Sequence, residues 1–492
     1  MSHGDEAGRL EGSARLINDD LAPVPPDRRT WGTYDMFAMW MSDVHSVGGY
    51  VFAASLFASG LTGWQVLSGM LAGILIVYWL INLIGRPSQR LGVPYPVMAR
   101  VAFGVLGANL PALVRAVVAI VWYGVQTHFA SLALKLLLLR LFPALQAWAV
   151  DASGFAGLSW LGWACYLGMW TLQLLVFYRG MESIRRFTDF AGPAVYLVMF
   201  LMAVWVISRA GLDQIGWSLT NHRLTGTAAW IEVANVAALV VGYFAALLLN
   251  FGDFSRYCRT ERQMVRGNIL GLPVNWMLFA VVTVVVTSGT VRLFGRAIMD
   301  PVEVVSRLDN VAAVLLGSLT FMIATVGINL VANFVSPAFD LANVAPKHIS
   351  FRRGGLMAAG LTLFTVPWHF VNSPQAVTVF VGTIGGFLGP LYGIIAVDYY
   401  LVKRGRVQVA DLYSLSPQGQ FWYVGGWNAK AVAALVPSVC LSAFVAFAPP
   451  LAPLRAVNWF VSAGAAAGLY LCLQRRRAYR LVVGPEGERG LS

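Results

Sequence analysis

The chain alternates between long apolar stretches and short polar connections. Each stretch is close to the ~20 residues that a helix needs to cross the hydrocarbon core of a bilayer. The pattern predicts an all-α integral membrane protein with twelve transmembrane helices. We number these stretches spans 1 to 12; they cover about residues 34–58, 64–84, 108–140, 156–178, 188–208, 230–254, 268–294, 310–340, 354–372, 375–402, 429–448 and 455–474.

Span 1 carries polar residues at its centre, where the sequence reads MSDVHSVGGY from Met41 to Tyr50. A charged side chain at that depth costs about 2.5 kcal/mol or more, so it is tolerated mainly where it faces a cavity or a partner. The adjacent Gly48 and Gly49 relax the limits on the backbone. We therefore expect span 1 to be interrupted near these glycines, as are the helices that hold substrates and ions in transporters.

Span 6 shows a related irregularity, with Gly242 near its middle and Asn250, Gly252 and Asp253 towards its end. Five crossings separate spans 1 and 6, so the second five-helix unit enters the membrane from the opposite face. Paired interruptions in two inverted halves point to a binding site. The sequence thus predicts a cytoplasmic N-terminal segment (1–33), two inverted five-helix repeats (34–208 and 230–402), two additional peripheral helices (429–474) and a cytoplasmic tail (475–492).

Composition supports a membrane protein, since 58% of the residues are hydrophobic and only 12% are charged. Soluble domains carry about 25% charged residues. The net charge of +12 comes from lysines and arginines clustered in alternate loops, which predicts two cytoplasmic termini and no nucleic-acid partner. The first thirty residues lack the apolar core of a signal peptide. We expect a plasma (cytoplasmic) membrane protein whose four cysteines form neither a metal site nor a disulfide framework.

Two spans carry polar residues four positions apart, which places each pair on one helix face. In span 3, Trp122 and Gln126 suit a flat heterocycle, since the indole stacks on the ring and the carboxamide bonds its N–H and C=O groups. Packing and an interhelical hydrogen bond explain them equally well. In span 8, Asn329 and Asn333 either contact a ligand or join neighbouring helices.

Asp253 and Arg256 lie three residues apart at the end of span 6. This spacing is typical of an ion pair on a solvated helix end. A role in an inner gate is the alternative.

Six motifs resemble those of the nucleobase:cation symporter family, which comprises permeases for cytosine, purines, uracil, thiamine, allantoin and hydantoins. They occur in the family's order and are spread over nearly the whole chain. They are NDDLAP at Asn18–Pro23, WYGVQ at Trp122–Gln126, NFGDFSRY at Asn250–Tyr257, ANFVSPAFDL at Ala332–Leu341, GPLYGIIAVDYYLVKR at Gly389–Arg404 and DLY at Asp411–Tyr413.

The resemblance implies a leucine-transporter-type fold and a substrate ring held between Trp122 and an aromatic residue of span 6. Counting back from Asp253 places Phe244 at that position, or Tyr243 if the register shifts by one. The family often has tryptophan there, so this departure reduces the stacking area. The remaining substrate contacts implied are Gln126, Asn333, Ser46 and the backbone near Gly48 and Gly242.

The cation site of sodium-coupled members corresponds to Ser42 and His45 in span 1 and to Ala324, Gly327, Ile328 and Asn329 in span 8. Gly327 and Ile328 offer no hydroxyl, which weakens a sodium site. Asp43 and His45 add two titratable groups at the same place, and such residues form proton relays in transporters. We expect proton coupling in preference to sodium. Alternatively, Asp43 bonds the free N–H groups of the interrupted helix and His45 only lines the pocket.

These features predict a secondary active transporter, a symporter that imports a nucleobase or related planar heterocycle such as uracil, cytosine, allantoin or hydantoin by alternating access. We expect a monomer in contact with membrane lipid, with no cofactor and no enzymatic activity. A channel would need a continuous polar stripe, and an intramembrane enzyme would need a nucleophile–base pair or a metal-ligand cluster. An amino-acid or other small-metabolite symporter on the same fold is the remaining alternative.

Overall fold

The computed structural model of the protein describes residues 15–150, 154–219, 223–369, 371 and 373–474. The residues before 15 and the predicted tail at 475–492 lie outside this part. The described chain is helical, and every predicted span contains one or two helices. In chain order, these are Thr33–Val44, Val47–Phe57, Gly63–Leu91, Asn109–Leu141, Trp160–Tyr178, Met181–Ala210, Gly226–Asn250, Glu261–Phe294, Val311–Val344, Phe351–Thr362, Pro374–Val397, Ala429–Phe447 and Asn458–Gln474.

Nine of the helices in the described chain are long and apolar enough to cross a membrane. The helices of spans 1, 9 and 12 are too short to meet this criterion. Span 1 is divided into helices of 12 and 11 residues, the helix of span 9 has 12 residues, and that of span 12 has 17. Short helices in the connections cover Tyr95–Met98, Arg100–Phe103, Gly252–Ser255 and Pro301–Ser306.

Span 1 is interrupted as predicted, but the interruption lies at His45 and Ser46 and not at the glycines. Ser46 is extended (φ −125°, ψ 162°), and its hydroxyl oxygen accepts a hydrogen bond from the backbone N–H of Gly49 at 2.9 Å. Serine is a favoured N-cap because it satisfies a free N–H of the first turn. Gly49 lies in that turn, where a Cβ would stand 2.8 Å from the backbone oxygen of Val44. The glycine therefore permits close approach and does not cause the break.

The predicted interruption of span 6 at Gly242 is wrong, because one helix runs from Gly226 to Asn250. The helix ends at Phe251, and a short helix begins at Gly252. Span 10 approaches closely here because Gly385 has no side chain: a Cβ at Gly385 would lie 2.8 Å from the backbone oxygen of Gly242, whereas a Cβ at Gly242 would lie 3.8 Å from the backbone oxygen of Val381. A glycine in a helix is destabilising by about 1 kcal/mol but is tolerated where the backbones of two helices meet.

The packing places spans 1, 3, 6 and 8 around the centre of the protein. Span 6 packs along spans 2 and 10, span 8 along span 3, and the first half of span 1 along span 5. The buried Arg115 of span 3 ties this centre together. Its guanidinium donates to the backbone oxygens of Ala246 (3.2 Å) and Ala332 (2.9 Å) and to Oδ1 of Asn250 (3.0 Å).

Asp253 is fully buried, so the prediction of a solvated helix end is wrong. Its carboxylate accepts a hydrogen bond from the backbone N–H of Tyr95 at 2.8 Å. Arg256 donates instead to the backbone oxygen of Asp20 and to the hydroxyl of Tyr257. The NFGDFSRY segment is thereby joined to the loop after span 2 and to the N-terminal segment.

Residues 15–32, which we call the N-terminal strap, run across one end of the helices. Asn18 donates to the backbone oxygens of Pro346 and Ile349, both at 3.2 Å. Asp20 accepts from the backbone N–H of Phe351 at 2.8 Å. Further bonds join the strap to the loops after spans 2, 6 and 10; they are Val24 N to Gly92 O, Trp31 N to Tyr257 O, Arg100 Nη2 to Leu16 O and Tyr413 Oη to Leu21 O.

Candidate functional site

A small cavity lies where spans 1, 3, 6 and 8 meet. Its volume is about 30 Å³. A cavity of that size admits one or two waters and no ring-sized molecule, so the structure describes a closed form of the site. The residues that line it are Asp43, Trp122, Gln126, Tyr243, Ala246, Leu247, Ile328, Ala332 and Asn333.

The aromatic walls are Trp122 and Tyr243. Their ring centroids lie 6.2 Å apart, and the rings are nearly perpendicular at 81°. Tyr243 stacks on Phe52 of span 1, with centroids 4.7 Å apart and planes 6° apart. Phe380 of span 10 covers Trp122 at 4.8 Å.

Phe244, the residue first assigned to the second wall, does not line the cavity. Its ring packs on Trp40 and Trp276, with centroids 6.3 and 5.4 Å away. Successive residues of an α-helix differ in direction by about 100°, so only one of Tyr243 and Phe244 faces the cavity. The structure therefore has the alternative register, in which Tyr243 forms the second wall.

Two carboxamides lie on the cavity wall. Gln126 is 1% exposed, and its Oε1 has no hydrogen-bond partner in the described chain. A Cβ at Gly48 would stand 3.1 Å from Gln126 Nε2, so the glycine leaves room for this side chain. Asn333 donates from Nδ2 to Oδ1 of Asn329 at 2.9 Å. Gly242 and Ser46 are not among the lining residues; Ser46 caps the second half of span 1.

Asn329 lies behind Asn333 and does not line the cavity. Its Nδ2 donates to the backbone oxygen of Tyr123, to Thr127 Oγ1 and to Gln173 Oε1. Gln173 lies in the second half of span 4 and was not among the predicted site residues. A lone glutamine within an apolar span was the available signal, since such residues usually bond across helices.

Asp43 lies in the last turn of the first half of span 1, and His45 lies in the interruption itself. Asp43 lines the cavity and is 1% exposed, and its Oδ1 has no hydrogen-bond partner among the described residues. His45 is fully buried between the rings of Tyr196 and Phe279, at 4.9 and 5.1 Å. The structural alternative is therefore not seen, because Asp43 does not cap the broken helix and His45 does not line the pocket.

The residues of the expected cation site are brought together in part. A Cβ at Gly327 would lie 3.3 Å from Ser42 Cβ and 3.7 Å from the backbone oxygen of Ser42, so spans 1 and 8 touch here. Ser42 already donates its hydroxyl to Thr188 O at 3.3 Å. Ala324 is buried nearby in span 8, and Ile328 turns to the cavity. The side-chain oxygens of this set are one hydroxyl and the carboxamide oxygen of Asn329, which already accepts from Asn333. With no charged group among them, this is a poor donor set for sodium.

The side chains of the site are suited to binding a ligand. It presents an indole, a phenol, two carboxamides and one carboxyl group. No group of three or more potential metal ligands (His, Cys, Asp or Glu) occurs in the described part of the chain. Stacking surfaces with amide edges hold a flat polar molecule, and the carboxyl group can exchange a proton.

The chain matches, over residues 23–471, the family described as permeases for cytosine/purines, uracil, thiamine and allantoin. It is 38% identical to the allantoin permease of Bacillus subtilis over 466 residues, 94% of each chain. It is 35% identical to the purine-uracil permease of Arabidopsis thaliana over 445 residues, 89% of this chain and 72% of that one.

The fold is shared with Mhp1, a nucleobase-cation-symport-1 family transporter solved in a closed conformation with bromovinylhydantoin bound. The TM-score is 0.75 and the sequence identity 23%, over 94% of this chain and 96% of that one. These relatives are permeases and transporters, not enzymes. With a family match that extends over most of its length, the chain belongs to the family of permeases for cytosine/purines, uracil, thiamine and allantoin.

Proposed function

We propose that the protein imports a planar heterocycle with ring N–H and C=O groups, of the uracil, cytosine, allantoin or hydantoin kind, by proton-coupled alternating access. The observation that carries the proposal is the cavity between Trp122 and Tyr243, with Gln126 and Asn333 on its wall. An aromatic pair gives stacking area, and carboxamides pair with ring amides. The names of the related permeases support this class of substrate.

The cavity must widen before a substrate enters. At about 30 Å³ it is far below the roughly 300 Å³ or more that is typical of ligand pockets. Widening requires the wall formed by Tyr243 and Phe52 to move away from Trp122 and Phe380. Such movement of one set of helices against another around a central site is how transporters of this type alternate between their two open forms.

Asp43 is proposed as the proton-coupling group, with His45 as a neighbour that does not exchange protons. An ionised carboxylate without a counter-charge or hydrogen bonds is very costly to bury, so Asp43 is stable in the closed form only when neutral. When the site opens to water, the carboxyl group can ionise at lower cost. A proton taken up on one side and released on the other would then accompany each closure.

We further propose twelve transmembrane helices, of which spans 1–5 (34–208) and 6–10 (230–402) are inverted repeats and the helices at 429–474 are peripheral. The interruption of span 1 and the end of the long helix of span 6 support this arrangement. The basic loops support a plasma-membrane protein with cytoplasmic termini. We expect it to act as a monomer.

Uptake into proteoliposomes tests the proposal. Purified protein is reconstituted, and import of radiolabelled uracil, cytosine, allantoin and hydantoin is measured with leucine as a comparison. An inward proton gradient should stimulate import of at least one heterocycle, and a protonophore should abolish the stimulation. Import of leucine alone, or stimulation by a sodium gradient alone, would contradict the substrate class or the coupling respectively.

Point variants separate the two parts of the proposal. Trp122→Ala should raise the KM for the imported heterocycle at least tenfold, since it removes one wall. Asp43→Asn should leave substrate exchange intact and eliminate stimulation by the proton gradient. Trp79→Ala is the matched tryptophan control, because Trp79 is 62% exposed on span 2 and lies outside the cavity.

A further inference from the structure

Three buried carboxamides on spans 4 and 8 form a continuous chain of hydrogen bonds that ends at the cavity. Gln173 Oε1 accepts from Asn329 Nδ2 at 2.6 Å, and Asn329 Oδ1 accepts from Asn333 Nδ2 at 2.9 Å. Gln173 and Asn329 are fully buried, and Asn333 is 3% exposed. We call this chain the amide relay.

Hydrogen bonds to backbone carbonyls show which end of each amide is the NH₂ group, and so which amide donates to which. Asn329 Nδ2 lies 3.1 Å from the backbone oxygen of Tyr123, and Gln173 Nε2 lies 3.0 Å from that of Met169. A carbonyl oxygen only accepts, so the NH₂ group of each amide must face it. Thr127 receives from both amides, at 3.1 and 3.2 Å, and itself donates to the Tyr123 oxygen at 2.7 Å.

The relay fixes what Asn333 offers to a ligand. Its NH₂ group is bonded to Asn329, so Oδ1 is the group that this amide presents to the cavity that Asn333 lines. A free carboxamide can exchange donor for acceptor by a half-turn. Here that half-turn would bring two oxygens together, Oδ1 of Asn333 and Oδ1 of Asn329.

We propose that Gln173 is a positioning residue that, through Asn329, holds Asn333 as a hydrogen-bond acceptor and so selects substrates with a ring N–H at that edge. The inference rests on the proposed function and refines its substrate class. A ligand that brings a carbonyl oxygen or an N-methyl group to Asn333 leaves the buried oxygen unpaired. Sites built in this way discriminate strongly against analogues that lack the hydrogen-bonding group.

N-methyl analogues test the inference. The labelled probe is uracil or hydantoin, whichever the wild-type protein imports in proteoliposomes. Competitors are the unlabelled parent compound and its 1-methyl and 3-methyl derivatives, each of which lacks one ring N–H. In the wild type, the inhibition constant of at least one derivative should be at least tenfold higher than that of the parent compound.

Variants of Gln173 separate hydrogen bonding from steric exclusion. Gln173→Met removes the 2.6 Å hydrogen bond to Asn329, the shortest that its Nδ2 makes, and leaves only those to Tyr123 and Thr127. Asn329, and through it Asn333, is then held less firmly, so the preference for the parent over the weak derivative should fall at least threefold. Gln173→Glu keeps an acceptor oxygen and should retain the tenfold preference. The methyl group of the derivative contacts the same cavity walls in every variant. A change in the ratio of inhibition constants, derivative to parent, therefore reports on the orientation of the Asn333 amide. Trp170→Phe deletes a different span 4 hydrogen bond, to Ala359 O, and should leave the ratio unchanged.

Two results would overturn the inference: equal inhibition by all three compounds in the wild type, or a wild-type ratio in Gln173→Met. The first needs no variant and holds even if Gln173→Met fails to insert. A protein that imports none of the labelled heterocycles would instead refute the proposed function. The two failures are therefore distinguishable.

Discussion

The contact between spans 6 and 10 makes Gly385→Ala an informative substitution. A Cβ at Gly385 would lie 2.8, 3.0 and 3.2 Å from the backbone oxygen, Cα and carbonyl carbon of Gly242, whereas ordinary contacts begin at 3.4 Å. All three atoms belong to a helix backbone, so no side-chain rotation relieves the contact. The two helices must separate, and Tyr243, the next residue, must move with span 6.

Two opposed effects set the magnitude. Overpacking of a close-packed contact costs about 1–3 kcal/mol. Replacement of glycine by alanine within a helix recovers about 1 kcal/mol. Gly464→Ala in span 12 is the matched control, because nothing lies within 4 Å of a Cβ at Gly464. Since both variants gain the same helix propensity, Gly385→Ala should be less stable than Gly464→Ala by about 1–3 kcal/mol.

The assay is unfolding of the purified proteins by denaturant in detergent micelles, followed by uptake in proteoliposomes. Gly385→Ala should also raise the KM for the heterocycle several-fold, because Tyr243 moves relative to Trp122. Gly464→Ala should leave the KM unchanged. Equal stability and equal KM in the two variants would refute the close packing of spans 6 and 10 and its role in placing Tyr243.

Three further predictions follow from the cavity and the strap. Tyr243→Leu should raise the KM tenfold or more because it removes an aromatic wall, whereas Phe244→Leu should keep the KM and lower the free energy of unfolding by about 1 kcal/mol. His45→Phe should retain proton-driven uptake and full thermal stability, because its surroundings are aromatic and its ring nitrogens are unpartnered. Asn18→Ala removes four hydrogen bonds of about 1 kcal/mol each and should speed tryptic cleavage at Arg28, measured by mass spectrometry.

Each of these has a result that would contradict it. A larger increase in KM from Phe244→Leu than from Tyr243→Leu would mean that Phe244, and not Tyr243, lines the substrate site. Loss of the response to a proton gradient in His45→Phe would transfer proton coupling from Asp43 to His45. Unchanged cleavage kinetics in Asn18→Ala would mean that the strap is held by its other bonds.

Local patterns predicted the parts of this protein that depend on neighbouring residues. Hydropathy located the spans, since crossing a bilayer demands a continuous apolar stretch. The four-residue spacing of Trp122 and Gln126 placed both on one face, and both line the cavity.

Features that depend on contacts between distant spans could not be read from the sequence. The choice between Tyr243 and Phe244 is a rotation of span 6 that packing against spans 1 and 7 decides. A glycine within a helix is compatible with both an interruption and a regular helix, so neither the continuity of span 6 at Gly242 nor the packing of Gly385 on its backbone could be predicted. Gln173 acquires its role from Asn329, a residue 156 positions away.

The N-terminal strap bridges loops at the ends of several spans: Asn18 and Asp20 are bonded to the segment between spans 8 and 9, and Val24 and Trp31 to those after spans 2 and 6. It therefore ties these loops together at one end of the helices. Any movement that separates the segment between spans 8 and 9 from the loops after spans 2 and 6 has to break the strap's bonds on one side. In the proposed transport cycle, these few bonds would oppose opening at this end, at a distance from the residues that line the cavity.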